Sequence, residues 1–272
     1  MANPRLMIDG ALDAGAELAL DEAQARHVGT VLRLEAGDTL RVFNATDGEW
    51  RAHVTAKSKR GMNVRVADFI RPACATPDLD LLFAPVKRHA TDLIVEKATE
   101  LGVRRMRPVL TQRTIAETVR LDRLQTIARE AAEQTERFDA PELLDPLPLA
   151  KALDGWDVAR PLIYADEAGD DAGEPWGGER GRAVSMIQAL QTRTAGASPA
   201  SSGDAGGGAG GPSKLALLIG PEGGFTPEER RMLRGLPYVI PVSLGPRILR
   251  AETAVIAALS VIQSAWGDWR GS

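Results

Sequence analysis

Cysteine is almost absent from this chain. The single Cys74 leaves no partner for an internal disulfide and no set of thiolates for a zinc site, and it fits a reducing compartment. Histidine is scarce too. His27, His53 and His89 fall at no metal-ligand spacing, so no metal is expected. No apolar run approaches the roughly 20 residues that a membrane span needs. The opening MANPRLMIDG lacks the charged-then-apolar pattern of a secretory signal. A cytoplasmic protein without membrane contact is the expectation. An excess of positive charge is missing as well: the net charge is −4, so a nucleic acid would have to meet a local basic face.

What is present divides by periodicity. The 272 residues, 44% hydrophobic and 26% charged, suit one large or two ordinary soluble domains. Residues 1–75 carry short alternating runs (DTLRVFN, EWRAHVTAKS, MNVRVADFI) that read as half-buried strands. Asp47-Gly48 marks one hairpin turn, and Gly61 offers the left-handed backbone for the next. DEAQARHVGTVLRL has helical spacing that sets Ala23, His27, Val31 and Leu34 near one face. A small, mostly β barrel is expected, followed by a linker, RPACATPD. From residue 76 to 272 strands and helices alternate: LDLLFAPV, TDLIVEKATELG, RRMRPVLTQR, LDRLQTIAREAAEQTERF, RPLIYAD, KLALLIG, YVIPVSLG and AETAVIAALSVIQSAW. That order predicts an α/β domain with a mostly parallel sheet and helices on both faces. Residues 192–214 are rich in Gly, Ser and Ala, cannot bury a core, and read as a disordered insertion.

Two loops stand out. In LLIGPEGGFTPEER, the run LALLIG is a buried strand. Thr226, Pro227 and Glu229 form a helix start with N-cap, N1 proline and capping box. GPEGGF therefore leaves the C-terminal end of a strand, where open α/β sheets bind ligands. It is neither a dinucleotide fingerprint nor a P-loop, and a plain tight turn accounts for it equally well. VSLGPRILRAETAVIAAL repeats the arrangement. Its loop holds Arg247 and Arg250, Glu252 opens the helix, and Ala251, Ala254, Ala257 and Ala258 line it. Such charges beside an apolar helix must be paired or used. Either an Arg–Glu pair ties the loop to the helix, or the cluster acts on a ligand. Basic residues gather at Arg51, Lys57, Lys59, Arg60 and Arg65, at Arg104, Arg105, Arg107 and Arg113, and at Lys87-Arg88. They are candidates for phosphate contacts, which position RNA without reading its bases. A solvated hairpin explains the first cluster as well.

Together, LLIGPEGGFTPEE and LGPRILRAETAVIAAL resemble the RsmE family of 16S rRNA (uracil-N3)-methyltransferases, of the SPOUT class. HVGTVLRLEAGDTLRVFNATDGEW resembles that family's PUA-like RNA-binding barrel, DLIVEKATELGV its first methyltransferase helix, and REAAEQTERFDAPEL the end of its central helix. The chain departs from the family at Asp139, where an arginine is usual, and in the 192–214 insertion. The resemblance implies a deep trefoil knot built from about residue 214 onward, homodimers, S-adenosylmethionine as cofactor, and uridine 1498 of the small ribosomal subunit as target. It sets the cofactor among Leu218, Ile219, Gly220, Gly223, Gly224, Leu244, Gly245, Ile248 and Leu249, the glycines removing side chains that would block its approach. It sets RNA contacts at Arg33, Lys57, Lys59, Arg60, Lys87 and Arg137. Uracil N3 carries a proton at neutral pH. Arg247 and Arg250 suit stabilisation of the ring anion, with Arg250 facing the uracil. Glu222 or Glu252 can act as base, or can hold an arginine or a cofactor hydroxyl. A ribose 2′-O-methyltransferase of the same class and a non-catalytic RNA-binding assembly factor are the rival readings.

Overall fold

The computed structural model describes residues 4–58, 61–115, 118–171, 173–196 and 211–270. The chain separates into two compact units. One holds residues 1–75 together with 129–140, and the other holds 76–128 and 141–272. The short return of 129–140 to the first unit is the one departure from a single cut after residue 75.

The first unit is a five-stranded sheet in the order β1-β3-β4-β5-β2. Its strands are β1 (Arg5–Met7), β2 (Glu17–Ala19), β3 (Thr39–Asn44), β4 (Gly48–Ser58) and β5 (Gly61–Arg71). The alternation seen in the sequence decides its inner face. Met62, Val64 and Val66 are buried while Asn63 and Arg65 are exposed. Gly48 enters β4 with φ +80°, and a Cβ there would collide with the Arg71 carbonyl, so the turn needs glycine. Gly61 is different. It opens β5 opposite Ser58 without a left-handed backbone.

The expected helical face at residues 23–34 is corrected. α1 (Glu22–Arg26) passes into a π-helical turn at His27–Val31, closed by the Leu32 amide donating to the His27 carbonyl at 2.9 Å. The wider turn breaks the i, i+4 spacing. Val28 is buried instead, and Val31 is 65% exposed. Residues 129–140 are fastened by charge and rings. Glu49 is fully buried and pairs with Arg5 at 2.9 Å, Arg41 at 3.0 Å and Arg71 at 2.5 Å, and Glu136 joins Arg41 and Arg71. The Arg5 guanidinium lies 3.6 Å over the Phe43 ring, against which Phe138 packs edge-on.

The second unit is an all-parallel sheet in the order β12-β10-β11-β6-β7-β8, with β9 also pairing β7. Its strands are β6 (Asp78–Phe83), β7 (Arg105–Leu110), β8 (Glu142–Leu143), β9 (Leu147–Pro148), β10 (Leu162–Ala165), β11 (Lys214–Ile219) and β12 (Val239–Val242). Its helices are α2 (Arg88–Glu100), α4 (Leu149–Ala152), α5 (Met186–Gly196), α6 (Pro227–Arg234) and α7 (Ala251–Ala265), and α3 (Leu121–Gln134) starts in it. Strand alternation sorts the two faces. Leu215, Leu217 and Ile219 pack with residues of α2, α5 and α7. Ala216 and Leu218 pack with Leu149, Phe225 and Leu233 on the other side. The insertion drawn at 192–214 is narrower at both ends, because α5 runs to Gly196 and β11 begins at Lys214. Residues 197–210 lie outside the described residues.

Candidate active site

β12, β10 and β11 are neighbours in the sheet, so three loops leave one edge side by side. Ala165 ends β10, with Asp166 and Glu167 after it; Ile219 ends β11, with Gly220, Pro221 and Glu222 after it; Leu244, Gly245, Arg247, Ile248 and Leu249 follow β12. Together with Ala251 and Ala254 of α7 they line one cleft. Its volume is about 50 Å³, well below the roughly 300–1,000 Å³ of typical ligand sites.

The glycine loop is held from both ends. Thr226 and Glu229 form the capping box of α6. The buried Glu229 carboxylate also accepts the Gln112 amide at 2.8 Å, and the Arg113 guanidinium donates to the Gly223 carbonyl at 2.8 Å. Gly224 (φ +66°) and Gly245 (φ +115°) occupy backbone that side chains rarely adopt. Gly220 lines the cleft, and packing sets a second demand on it. A Cβ there would lie 2.5 Å from Cε2 of Phe225, so its missing side chain makes room for that ring.

Of the residues proposed to hold a cofactor, Ile219, Gly220, Leu244, Gly245, Ile248 and Leu249 share the cleft. Leu218 does not. Strand alternation turns it into the core on the opposite sheet face. Gly223 and Gly224 border the adjoining cleft instead. Glu222 and Arg247 line the first cleft, and Arg250 is the exposed N-cap position of α7. An Arg–Glu tie between this loop and helix is not formed. Glu252 buries Oε2 with no hydrogen-bond partner, and neither Arg247 nor Arg250 enters an ion pair among the described residues. These charges remain available to a ligand.

Glu167 was missed by the sequence reading. Burial holds its carboxyl above the ordinary carboxylate range, and neighbouring Asp166 adds to the effect. Its signal was YADEAGD directly after an apolar strand, which gains meaning only once β10 is known to run between β11 and β12. Asp166 itself is spoken for. It is 2% exposed and paired with Arg230 at 2.9 Å and Arg234 at 2.7 Å.

The RNA-contact residues scatter. Lys57 is tied down locally, donating to the Gly29 and Leu34 carbonyls at 3.1 Å each and to Glu35 at 2.6 Å. Lys59 and Arg60 lie outside the described residues. Arg33 is exposed, with φ 57°. The Arg137 side chain is only 9% exposed and pairs with Asp139, so it offers no free guanidinium. Arg105 pairs with Asp80 at 2.8 Å, Arg104 with Asp78 at 3.6 Å, and Arg107 donates to the Asp145 carbonyl, so that basic run is largely structural. Lys87 remains, exposed on a groove with Arg88, His89, Arg120 and Arg123.

Comparison with known proteins agrees with both units. A family model described as the RNA methyltransferase domain matches residues 74–263, and one for the RNA methyltransferase PUA domain matches 20–67. The ribosomal RNA small subunit methyltransferase E of Rickettsia conorii is 30% identical over 91% of this chain and 88% of its own length. The chain belongs to the ribosomal RNA small subunit methyltransferase E family. The Bacillus subtilis member is 27% identical over 88% of the chain and 86% of its own length. A Legionella pneumophila methyltransferase solved with bound S-adenosylmethionine superposes with a TM-score of 0.77 at 29% identity, covering 97% of this chain and 98% of that one. The fold is thus the SPOUT methyltransferase arrangement preceded by a PUA-like domain, and the chain is an RNA methyltransferase. Among the described residues no cluster of His, Cys, Asp or Glu is placed to hold a metal ion, and no helix is long and apolar enough to cross a membrane.

Proposed function

We propose that this protein transfers a methyl group from S-adenosylmethionine to N3 of a uridine, position 1498, in 16S rRNA of the small ribosomal subunit. The observation that carries the reading is the cleft where three adjacent strand ends meet, with two unpaired arginines at its loop and helix start. The activity for which the family is named and the cofactor bound in the Legionella neighbour support it.

The residues present fit that cofactor. Ile219, Leu244, Leu249 and Ala254 supply apolar walls, and Gly245 has open space where a Cβ would stand. When bound, S-adenosylmethionine supplies an electrophilic methyl on sulfonium. The protein's part is to position the nucleophile in line and exclude water. Arg250 and Arg247 act on charge that develops on the uracil oxygens as N3 loses its proton. Glu222 and Glu167, both lining the cleft, are the carboxylates available to receive that proton. A base raised by burial is the better matched of the two, which favours Glu167.

A homodimer is part of the same reading. Exposed Ile187 on α5 and Ile256 on α7 leave apolar surface on two neighbouring helices, of which α7 lines the cleft, and burying it against a second copy accounts for it. A cytoplasmic location belongs to the same reading, since its substrate is rRNA. Mass spectrometry of rRNA nucleosides from cells with and without the gene is the deciding experiment. Loss of N3-methyluridine is expected. Loss of a 2′-O-methylated nucleoside, or no change, would overturn the assignment.

A further inference from the structure

We propose that Trp176 is a nucleobase-stacking platform for the RNA substrate, holding an unpaired base at the rim of the methyl-transfer cleft. The inference rests on the methyltransferase reading above.

Trp176 sits at the tip of the segment between β10 and α5 with φ +54° and is 45% exposed. A left-handed backbone is unusual for a bulky residue, and it persists only where the surroundings enforce it. Here they do. The Gly169 amide donates to the Trp176 carbonyl at 2.8 Å, and the Asp171 amide donates to the Gly177 carbonyl at 2.8 Å. The two limbs of the loop touch backbone to backbone, since a Cβ on either Gly169 or Gly177 would collide with the other residue's carbonyl. Arg230 anchors the base of the loop, donating to the Gly169 carbonyl at 2.7 Å and the Ala168 carbonyl at 2.6 Å while pairing with Asp166.

The bracing presents a ring that the fold does not use. Trp176 has no aromatic or cation–π partner among the described residues. Its neighbours are those of the reaction centre. A Cβ built on Gly224 would lie 4.0 Å from Cζ3 of Trp176 and 3.3 Å from Oε1 of Glu167. Glu167 lines both the narrow cofactor cleft and the adjoining cleft of about 560 Å³ that Trp176 borders. That volume suits a planar ligand. Two of the carboxylates nearby are paired with cations: Asp166 with Arg230 and Arg234, and Asp171 with Arg180. The surface is therefore less hostile to RNA than its composition implies. An exposed indole beside such a cleft is what recognition of unpaired RNA bases uses, because every base offers a π face. A base methylated at N3 must leave its pairing partner, and a platform at the rim stabilises it once out.

The test separates stacking from loop architecture. Trp176→Gly removes the ring at a φ that glycine adopts freely, Trp176→Phe keeps a smaller ring, and Trp176→Leu keeps apolar bulk without one. With a uridine-containing single-stranded RNA, quenching of tryptophan fluorescence is expected in the parent and should largely vanish in Trp176→Phe, in which Trp50, Trp156, Trp266 and Trp269 remain. RNA affinity should drop about 5- to 150-fold in the Gly and Leu variants and be largely kept by Phe. S-adenosylhomocysteine affinity and melting temperature should stay unchanged. If Trp176→Gly binds RNA as the parent does, if Leu substitutes as well as Phe, or if cofactor binding falls with RNA binding, the proposal fails. The fluorescence readout needs no methyl transfer. An inactive parent that still shows the quench would overturn the assigned reaction and leave the platform standing.

Discussion

Replacing Gly220 by alanine would set a Cβ 2.5 Å from Cε2, 2.9 Å from Cδ2 and 3.0 Å from Cζ of Phe225. Carbon atoms rest at about 3.5–4.0 Å, so the ring must retreat by roughly 1 Å. It has little room to do so. Phe225 is buried and packs edge-on against Tyr164, with ring centroids 5.0 Å apart. Overpacking of this kind costs about 1–3 kcal/mol. Gly223 gives the control. Its Cβ would meet Arg113 at 3.5 Å, an ordinary contact, and Gly223→Ala should stay within about 0.5 kcal/mol of the parent. Urea unfolding measures both. Adding Phe225→Leu to Gly220→Ala should recover part of the loss, with a coupling of at least about 0.5 kcal/mol between these touching sites. Calorimetry with S-adenosylhomocysteine completes the experiment. If Gly220→Ala unfolds with the parent yet loses the cofactor analogue, the glycine clears space for the ligand and the packing argument is refuted.

Four further outcomes are expected. Because burial holds the Glu167 carboxyl high, the folded chain keeps that proton where the unfolded chain has lost it, and stability falls as pH rises from the ordinary carboxylate range through the folded value. Glu167→Gln should therefore be more stable than the parent near neutral pH and equal to it in acid; parallel stability–pH curves would contradict this. Glu49→Ala strands Arg5 without its buried partner and should cost about 3–5 kcal/mol in urea unfolding, with S-adenosylhomocysteine binding kept. Arg250→Ala should lower single-turnover methyl transfer about 10²–10³-fold at saturating RNA and cofactor, and an unimpaired rate would remove Arg250 from the chemistry. Lys57→Ala should leave the salt dependence of RNA binding intact, because three local oxygens hold that ammonium group; a slope reduced by about 0.7–0.9 would return it to phosphate contact.

The legible parts of this chain are those whose cause is local. The α6 start at Thr226, Pro227 and Glu229 is written in four residues, and the structure forms that cap. The alternation of β5 and the Asp47-Gly48 turn are local in the same sense, and so is the order of strands and helices. Much of what the structure changes depends on partners that only folding supplies. Lys57 looked free because its acceptors come from residues 29, 34 and 35. Leu218 and Ile219 looked equivalent until the sheet gave each its own face. Gly220 lines the cleft, and the atoms that a Cβ there would meet belong to Phe225, five residues on and folded back. Glu167 had no motif at all. Its place in the cleft follows from β10 lying between β11 and β12, a strand order that brings residues 167, 222 and 247 together. Composition points the same way. The basic runs that resembled an RNA footprint are partly consumed by Asp78, Asp80, Glu35 and Asp139, so a count of arginines overstates the cations left for phosphate. Arg247 and Arg250 are the informative exceptions. They stay unpaired, as does a buried carboxylate oxygen of Glu252 two positions after Arg250, and a fold that pairs most of its charges elsewhere leaves these three to act on something else.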